Sequence, residues 1–464
     1  MPQADLHIGA ATASITPSKP VAVAGQFHTR IARTVDNPVT ATALALESRH
    51  GETVLDQAIL VSCDLVGIPR AVQEQLRTRV APRLPGFDVQ KLSLNGTHTH
   101  TAPVMEEGQY DIPQDAGIMQ PAEYVEFLLA QVGGLVVRAW EGRKPGGVSW
   151  AQGHAVVGSN RRVAYENGTA QMYGATDTPE FRWIEGYQDH TVDMLFFWDA
   201  EREPIAVAIN LACPSQEVEG RSTVNADYWH DVREQLRSRY SKDLCVLGWP
   251  GAAGDQSPHL VLGKAADDRM RTLRGLTPTQ EIARRIARAV DDVFEIARCD
   301  VRADVPLAHR VQTLNLPVRK VTERELAEAN TRYAELSKNA ALAPGEHMGK
   351  YRAKSILDRF ADQATHPYYE MELHVLRIGD AAIATNPFEL YLDYGLQIKA
   401  RSQALQTFLI QLTGAVGGYL PTERAVRGGG YSAEVVDNLV GPEGGKLLVN
   451  ATVQAIGALW GGEK

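Results

Sequence analysis

Cysteine is scarce in this 464-residue chain: Cys63, Cys213, Cys245 and Cys299 are the whole complement. None stands in a Cys-x-x-Cys spacing, which excludes a disulfide framework, a zinc-thiolate ribbon and a dithiol redox site, and leaves buried small apolar side chains as the expectation. A surplus of positive charge is missing too. With 47 Lys and Arg against 56 Asp and Glu, the net charge is -9. The densest basic run, Arg269 to Arg274, is broken by Met270, Thr272 and Leu273, as on a solvated face. A nucleic-acid groove needs a concentrated Lys/Arg face to displace phosphate counterions, so no nucleic-acid partner is expected. No apolar run approaches the roughly 20 residues that span a bilayer. The start, Met1-Pro2-Gln3-Ala4-Asp5, is not a basic and apolar leader. The reading is a cytoplasmic protein without integral membrane contact. Internal repeats and low-complexity linkers are absent as well, which excludes a solenoid.

What is present is a core-forming composition, with 44% hydrophobic and 22% charged residues, enough to exclude disorder. One domain over 1–464 is expected, with a possible insertion or peripheral layer at about 300–345, where strands from Asp300 to Leu316 precede a polar-faced helix from Thr322 to Ala341. Elsewhere strand and helix alternate. Val54 to Leu65 reads as a strand and Pro69 to Leu84 as a helix behind its proline. Lys91 to Asn95 is a short strand, Ala122 to Trp140 a helix, and Asp193 to Trp198 and Ile205 to Leu211 are buried strands. Tyr228 to Tyr240 and Thr279 to Ala297 are amphipathic helices. Tyr369 to Ile378 and Ala381 to Thr385 are strands, Pro387 opens a helix to about Arg401, and Lys446 to Leu459 is a closing helix. The fold class is α/β (mixed α+β), with mixed sheets flanked by helices.

The strongest local signal is Asn95-Gly96-Thr97-His98-Thr99-His100-Thr101-Ala102-Pro103. A His-x-His pair on an extended segment points both imidazoles to one face, where they can meet a metal or a substrate. The same residues also suit an ordinary strand with threonine neighbours, and spacing does not decide between the two. Gly248 to His259, with Gly254-Asp255-Gln256-Ser257-Pro258, has the composition of an irregular loop after a strand at Leu244 to Leu247. It contains no Gly-x-Ser-x-Gly elbow, so a serine-triad hydrolase has no support. Glu389 falls on the expected first turn of the helix behind Asn386-Pro387, where the helix dipole favours a carboxylate. Tyr419 and Tyr431 each follow glycines; taken singly, each reads as a loop residue.

In order along the chain, Thr97-His98-Thr99-His100, Gly254-Asp255-x-Ser257-Pro258, Pro387-x-Glu389, and Gly418-Tyr419 with Tyr431 resemble the catalytic domain of the neutral/alkaline non-lysosomal ceramidase family. The Gly9-Ala10-Ala11 to Thr16-Pro17 segment is similar to that family's opening strand. The resemblance implies a neutral-ceramidase-like catalytic domain and a zinc-dependent hydrolase with one Zn2+ per chain. It implies His98 and Glu389 as metal ligands, Tyr419 as a ligand or oxyanion donor beside Tyr431, and His100 as an outer or substrate-facing histidine that carries the leaving-group proton. Ser257 would face the scissile bond, and Arg161, in Asn160-Arg161-Arg162, would bind the polar end of a substrate.

Two departures stand out. The family's further metal-binding histidine is absent from Asn210-Leu211-Ala212-Cys213-Pro214-Ser215-Gln216, leaving Cys213, Gln216 and His230 as substitutes, with His230 preferred because zinc favours nitrogen. The family's additional C-terminal β-sandwich is also not seen, which turns the expected substrate from ceramide to a small soluble N-acyl-type molecule. A carbohydrate- or ester-acting enzyme on the same scaffold, and a non-catalytic binding protein, are the alternatives. A homo-oligomer is left open.

Overall fold

The computed structural model describes residues 5–114, 117–339 and 341–461. Three mixed sheets carry the architecture. The first contains β1 (Asp5–Ser14), β2 (Thr40–His50), β3 (Thr53–Cys63) and β4 (Leu92–Gly96), in the order β4-β3-β2-β1, with a two-residue strand at Lys144–Pro145 on the far edge. The second orders β5 (Gly147–His154), β6 (Thr191–Trp198), β7 (Pro204–Leu211) and β8 (Cys245–Pro250) as β8-β7-β6-β5. The third runs β9 (Leu307–Pro317), β10 (Tyr368–Ile378), β11 (Ala381–Thr385) and β12 (Gln406–Ile410) in sequence order. Each sheet combines antiparallel neighbours with one parallel pair: β3 with β4, β7 with β8, and β11 with β12.

Why these runs become strands is visible in β2. Ala41, Ala43 and Ala45 pack under the helices on one face, and Leu44 and Leu46 pack between the sheets on the other. Side chains alternate with period 2, so a strand covered on both faces must be apolar nearly throughout. One core, including Leu60, Trp150, Phe197, Leu247, Ile378 and Phe408, joins all three sheets. Helices cover their outer faces: α1 (Arg70–Val80) and α2 (Pro121–Glu141) on the first sheet, α3 (Tyr228–Arg239) and α4 (Pro278–Cys299) on the second.

The region expected as a peripheral layer divides in two. β9 is integral, paired along its whole length with β10. The peripheral part is the hairpin of α5 (Glu323–Ser337) and α6 (Glu346–Asp362), each with few buried residues. On the third sheet pack α7 (Leu392–Arg401) and α8 (Pro442–Trp460). The helix expected from Pro387 begins later, because Glu389–Leu390 is a short strand paired parallel with Tyr419–Leu420. Asn386 Oδ1 accepts from the Phe388 N–H at 3.1 Å, and the Glu389 N–H donates to the Gly418 carbonyl at 2.9 Å, so these backbone groups are committed before a helix can form. Cys63, Cys213 and Cys245 are buried, while Cys299 is exposed. Among the described residues no helix is long and apolar enough to cross a membrane.

Candidate active site

Chain segments leaving the parallel-paired strands meet at one place, the carboxyl ends where α/β sheets commonly bind ligands. The chain after β4 is drawn back over the sheet: the Thr97 N–H donates to Cys63 O at 2.8 Å and the His98 N–H to Leu65 O at 2.9 Å. Gly96 permits this close crossing, since a Cβ there would lie 2.8 Å from the Leu65 carbonyl oxygen. His98 takes a left-handed backbone (φ 70°), so the histidine pair is not on a regular strand. The rings still meet edge-on, with centroids 4.8 Å apart. The threonines serve the loop rather than a sheet: Thr99 and Thr101 hydroxyls both donate to Asn225 O at 2.8 Å, and Thr97 Oγ1 reaches Asp64 Oδ1 at 3.3 Å. Asp64 is itself held by Arg233 of α3 at 2.7 and 2.9 Å, a fully buried pair that ties helix, strand end and histidine loop together.

Around the histidines the polar atoms converge. His98 Nδ1 lies 2.6 Å from the Val66 carbonyl, which can only accept, so the proton sits on Nδ1 and Nε2 presents its lone pair. That Nε2 lies 3.2 Å from Glu389 Oε2 and 3.3 Å from His100 Nε2. Burial opposes charge on both His98 and Glu389, yet their mutual attraction outweighs it, raising the histidine's pKa and lowering the carboxyl's. Both shifts describe the same contact, in which the charged form of each group favours the charged form of the other. Arg161 donates from Nη2 to Gly254 O at 2.9 Å and to the Tyr419 hydroxyl at 3.0 Å. The Tyr419 and Tyr431 hydroxyls are 3.4 Å apart. Burial pushes the Tyr419 phenol well above its usual range, and that of Tyr431 to about 12.

A cavity of about 220 Å³ opens over this cluster, with His98, His100, Glu389, Tyr419 and Tyr431 in its wall. Phe27, Tyr110 and, from α6, Met348 and Arg352 are also part of that wall. Nothing in the spacing of Phe27, Tyr110 or Arg352 marks them in the sequence. Three other expected residues do not line the cavity, Arg161 among them, its guanidinium buried against Gly254 O and the Tyr419 hydroxyl. Ser257 is fully buried on a two-residue strand, its oxygen accepting from the His259 N–H at 3.0 Å and bonded to the Tyr173 hydroxyl at 2.7 Å; it does not line the cavity. His230 lies on the first turn of α3 and does not line it either. Cys213 is buried with its Sγ turned to Pro214 O. From the segment that lacks the family histidine, the side chain that reaches the site is Gln216, whose Nε2 is 2.7 Å from His100 Nε2. Glu219, unmarked by any motif, places Oε2 3.3 Å from His100 Nδ1.

The donor set can be tested against a divalent cation. Among the described residues, no three His, Cys, Asp or Glu side chains close into a metal cage. Pair by pair, however, the 3.2 and 3.3 Å separations match the edge of a tetrahedron with zinc bonds, about 3.3 Å for bond lengths of about 2.0–2.1 Å. A histidine nitrogen lone pair facing a carboxylate, with the other ring nitrogen on a carbonyl, is also the usual outer arrangement of a metal-binding histidine. Two separations, both measured from His98 Nε2, match the ion, and among the described residues no third His, Cys, Asp or Glu closes the set.

No family model and no curated protein matches this chain. Solved structures do. A neutral ceramidase from Pseudomonas aeruginosa superposes with a TM-score of 0.72 at 18% identity, over 98% of this chain and 74% of that one. A ceramidase complexed with C2 gives 0.70 at 17% identity, over 98% and 75%. The three-sheet architecture that brings His98 and Glu389 together is therefore the neutral-ceramidase-like fold, matched over 98% of this chain.

Proposed function

We propose that this protein is a metal-dependent hydrolase that cleaves an amide bond in a small, soluble N-acyl-type substrate. The observation that carries the reading is the convergence of His98, Glu389 and Tyr419, from the first and last quarters of the chain, on the wall of one cavity. Its likeness in fold to neutral ceramidases supports the reaction class. Zinc would be held by His98 and Glu389, with Tyr419 beside them. When bound, such an ion supplies an acidified water and a polarised carbonyl.

The remaining chemistry belongs to the chain. Tyr419 and Tyr431 stay protonated at neutral pH, so both phenols are available to donate to an oxyanion. The Arg161 guanidinium donates to the Tyr419 oxygen, which strengthens that phenol as a donor and fixes its direction. Phe27 packs edge-on against Tyr431 at 5.5 Å and keeps that ring over the cavity. A volume of about 220 Å³ falls below the roughly 300 Å³ at which drug-sized sites begin, which favours a compact substrate.

The test is a panel of short N-acyl amides, carboxylic esters and aryl glycosides offered to the purified chain with and without chelator. Amide cleavage that disappears with chelator and with His98→Ala is expected. Turnover of esters or glycosides alone, or turnover indifferent to both treatments, would refute the proposal.

A further inference from the structure

Among the described residues in the wall of the cavity over the histidines, Arg352 is the one Lys or Arg. It comes from α6 in the peripheral hairpin, and no step of the hydrolysis above uses it. We propose that Arg352 is a specificity-determining residue that takes a carboxylate at the far end of the substrate, so that the amide cleaved is that of a short N-acyl amino acid. The inference rests on the amide-hydrolase reading above. In the reaction, water adds across the C–N bond: its hydroxyl joins the acyl carbon and its remaining proton goes to the leaving nitrogen. The products are a carboxylic acid and a free amino acid.

Position, orientation and charge carry it. The Arg352 guanidinium carbon stands 5.4 Å from the Phe27 ring centroid, and the same ring packs edge-on against Tyr431 at 5.5 Å. Phe27 therefore bridges the cation and a phenol that would meet the scissile carbonyl. One edge of the guanidinium is already held: Arg352 Nη1 lies 2.7 Å from Asp437 Oδ1, and the buried Asp437 accepts from the Ser432 N–H through Oδ2 at 3.1 Å. The arginine is thus tied to the loop that carries Tyr431 before a ligand arrives, which lowers the ordering cost of binding. With 27% of its side chain exposed, and five N–H donors against one ion pair, it keeps donors for a ligand. Its planar fork matches a carboxylate through two parallel hydrogen bonds. Asp437 is also shared, because it attracts the Arg319 guanidinium, as Glu325 and Glu434 do. Arg319 donates to Ala433 O at 2.7 Å, and Arg359 donates to Asn438 O at 2.8 Å and to Arg319 O at 3.0 Å, all neutral acceptors. Burial, with repulsion from Arg319, lowers the Arg359 pKa to about 10. The acids in the cavity wall are Glu389, which faces His98 at 3.2 Å, and Glu106, whose pKa burial raises. Neither takes the Arg352 charge, and a cavity of about 220 Å³ keeps a substrate carboxylate close to the amide.

The experiment offers the full chain the N-acetyl derivatives of glycine, alanine, leucine and phenylalanine, each beside its carboxamide, together with an N-acetyl diamine. Steady-state kinetics give kcat and KM, and calorimetry on the slow Tyr419→Phe variant gives Kd. The acids are expected to show KM and Kd about 10–100-fold below their carboxamides, with kcat alike. Arg352→Gln should raise KM for the acids to the carboxamide value and leave the carboxamides unchanged, and Arg352→Lys should restore part of the gap. The comparison of acid with carboxamide in the wild type does not depend on any Arg352 variant folding. Acid and carboxamide cleaved with equal KM, or the cationic diamine derivative preferred, overturns the inference and leaves the hydrolase reading in place. Acids bound in preference through Arg352, with no amide cleaved, supports the carboxylate site and overturns the hydrolase reading. Binding of neither acid nor carboxamide overturns the inference.

Discussion

Arg162 offers the sharpest test of how the site is held together. Its guanidinium is fully buried and pairs with Glu185, itself 5% exposed, through Nε to Oε1 at 2.9 Å and Nη2 to Oε2 at 3.1 Å. Three backbone carbonyls take its remaining hydrogens: Tyr431 at 3.0 Å, Gly429 at 2.7 Å and Ala425 at 3.3 Å. One side chain thus fixes the loop that delivers Tyr431. Arg162→Met keeps the volume but leaves a buried carboxylate without its partner, a change that costs about 3–5 kcal/mol. With an unfolding entropy of about 2.1 cal/mol/K per residue, this 464-residue chain has about 1 kcal/mol/K in all, so the melting temperature should fall by about 3–5 °C. Differential scanning calorimetry measures the drop, and the double variant Arg162→Met/Glu185→Leu should recover much of it by removing the stranded charge. Hydrolysis should stay impaired in both, because neither restores the hydrogen bond to Tyr431. A single variant that melts within 1 °C of wild type would refute the reasoning, as would a double variant no more stable than the single one.

Tyr419→Phe removes a candidate oxyanion donor and should lower kcat/KM by about 100-fold in steady-state assays, with the melting temperature little changed. Gly25→Ala puts a methyl group 2.6 Å from His100 Nδ1 at a backbone with φ +100°, so turnover should fall at least tenfold as the ring is displaced. Glu372 is brought to about 2 although burial opposes its charge, because His374 and the Arg77 guanidinium at 2.8 Å outweigh that penalty. A carboxyl depressed in the folded state stabilises it above the unfolded value of about 4.5, and that stabilisation is lost as pH falls from there to about 2. Melting temperatures followed through this window should fall more steeply for wild type than for Glu372→Gln, and parallel curves would contradict the assignment.

How much of this was legible in the sequence depends on range. Strands covered on both faces, such as Ala381–Thr385, announce themselves through unbroken apolar runs, and Pro69 marks the start of the helix Arg70–Val80 through its fixed backbone angle. The start of the helix near Pro387 was misplaced because the strand at Glu389–Leu390 exists only through its partner at Tyr419–Leu420, thirty residues on. Pattern within a short window cannot register that pairing. The histidine pair was recognisable by residue type, but its geometry comes from a left-handed turn at His98 and threonine anchors to Asn225, not from strand alternation. Ser257 suggested chemistry by its neighbours and is instead committed to Tyr173 and His259. Glu219 and Arg352 could not be found in advance, since ordinary charged residues reach His100, as Glu219 does, or the cavity wall, as Arg352 does, only through tertiary placement.

Crystals of the protein soaked with zinc, with diffraction recorded on both sides of the zinc absorption edge, probe the account where it is most exposed. An anomalous peak within bonding distance of both His98 Nε2 and a Glu389 oxygen is predicted. A well-diffracting soaked crystal with no peak between those two side chains, or with zinc bound only elsewhere, would contradict it.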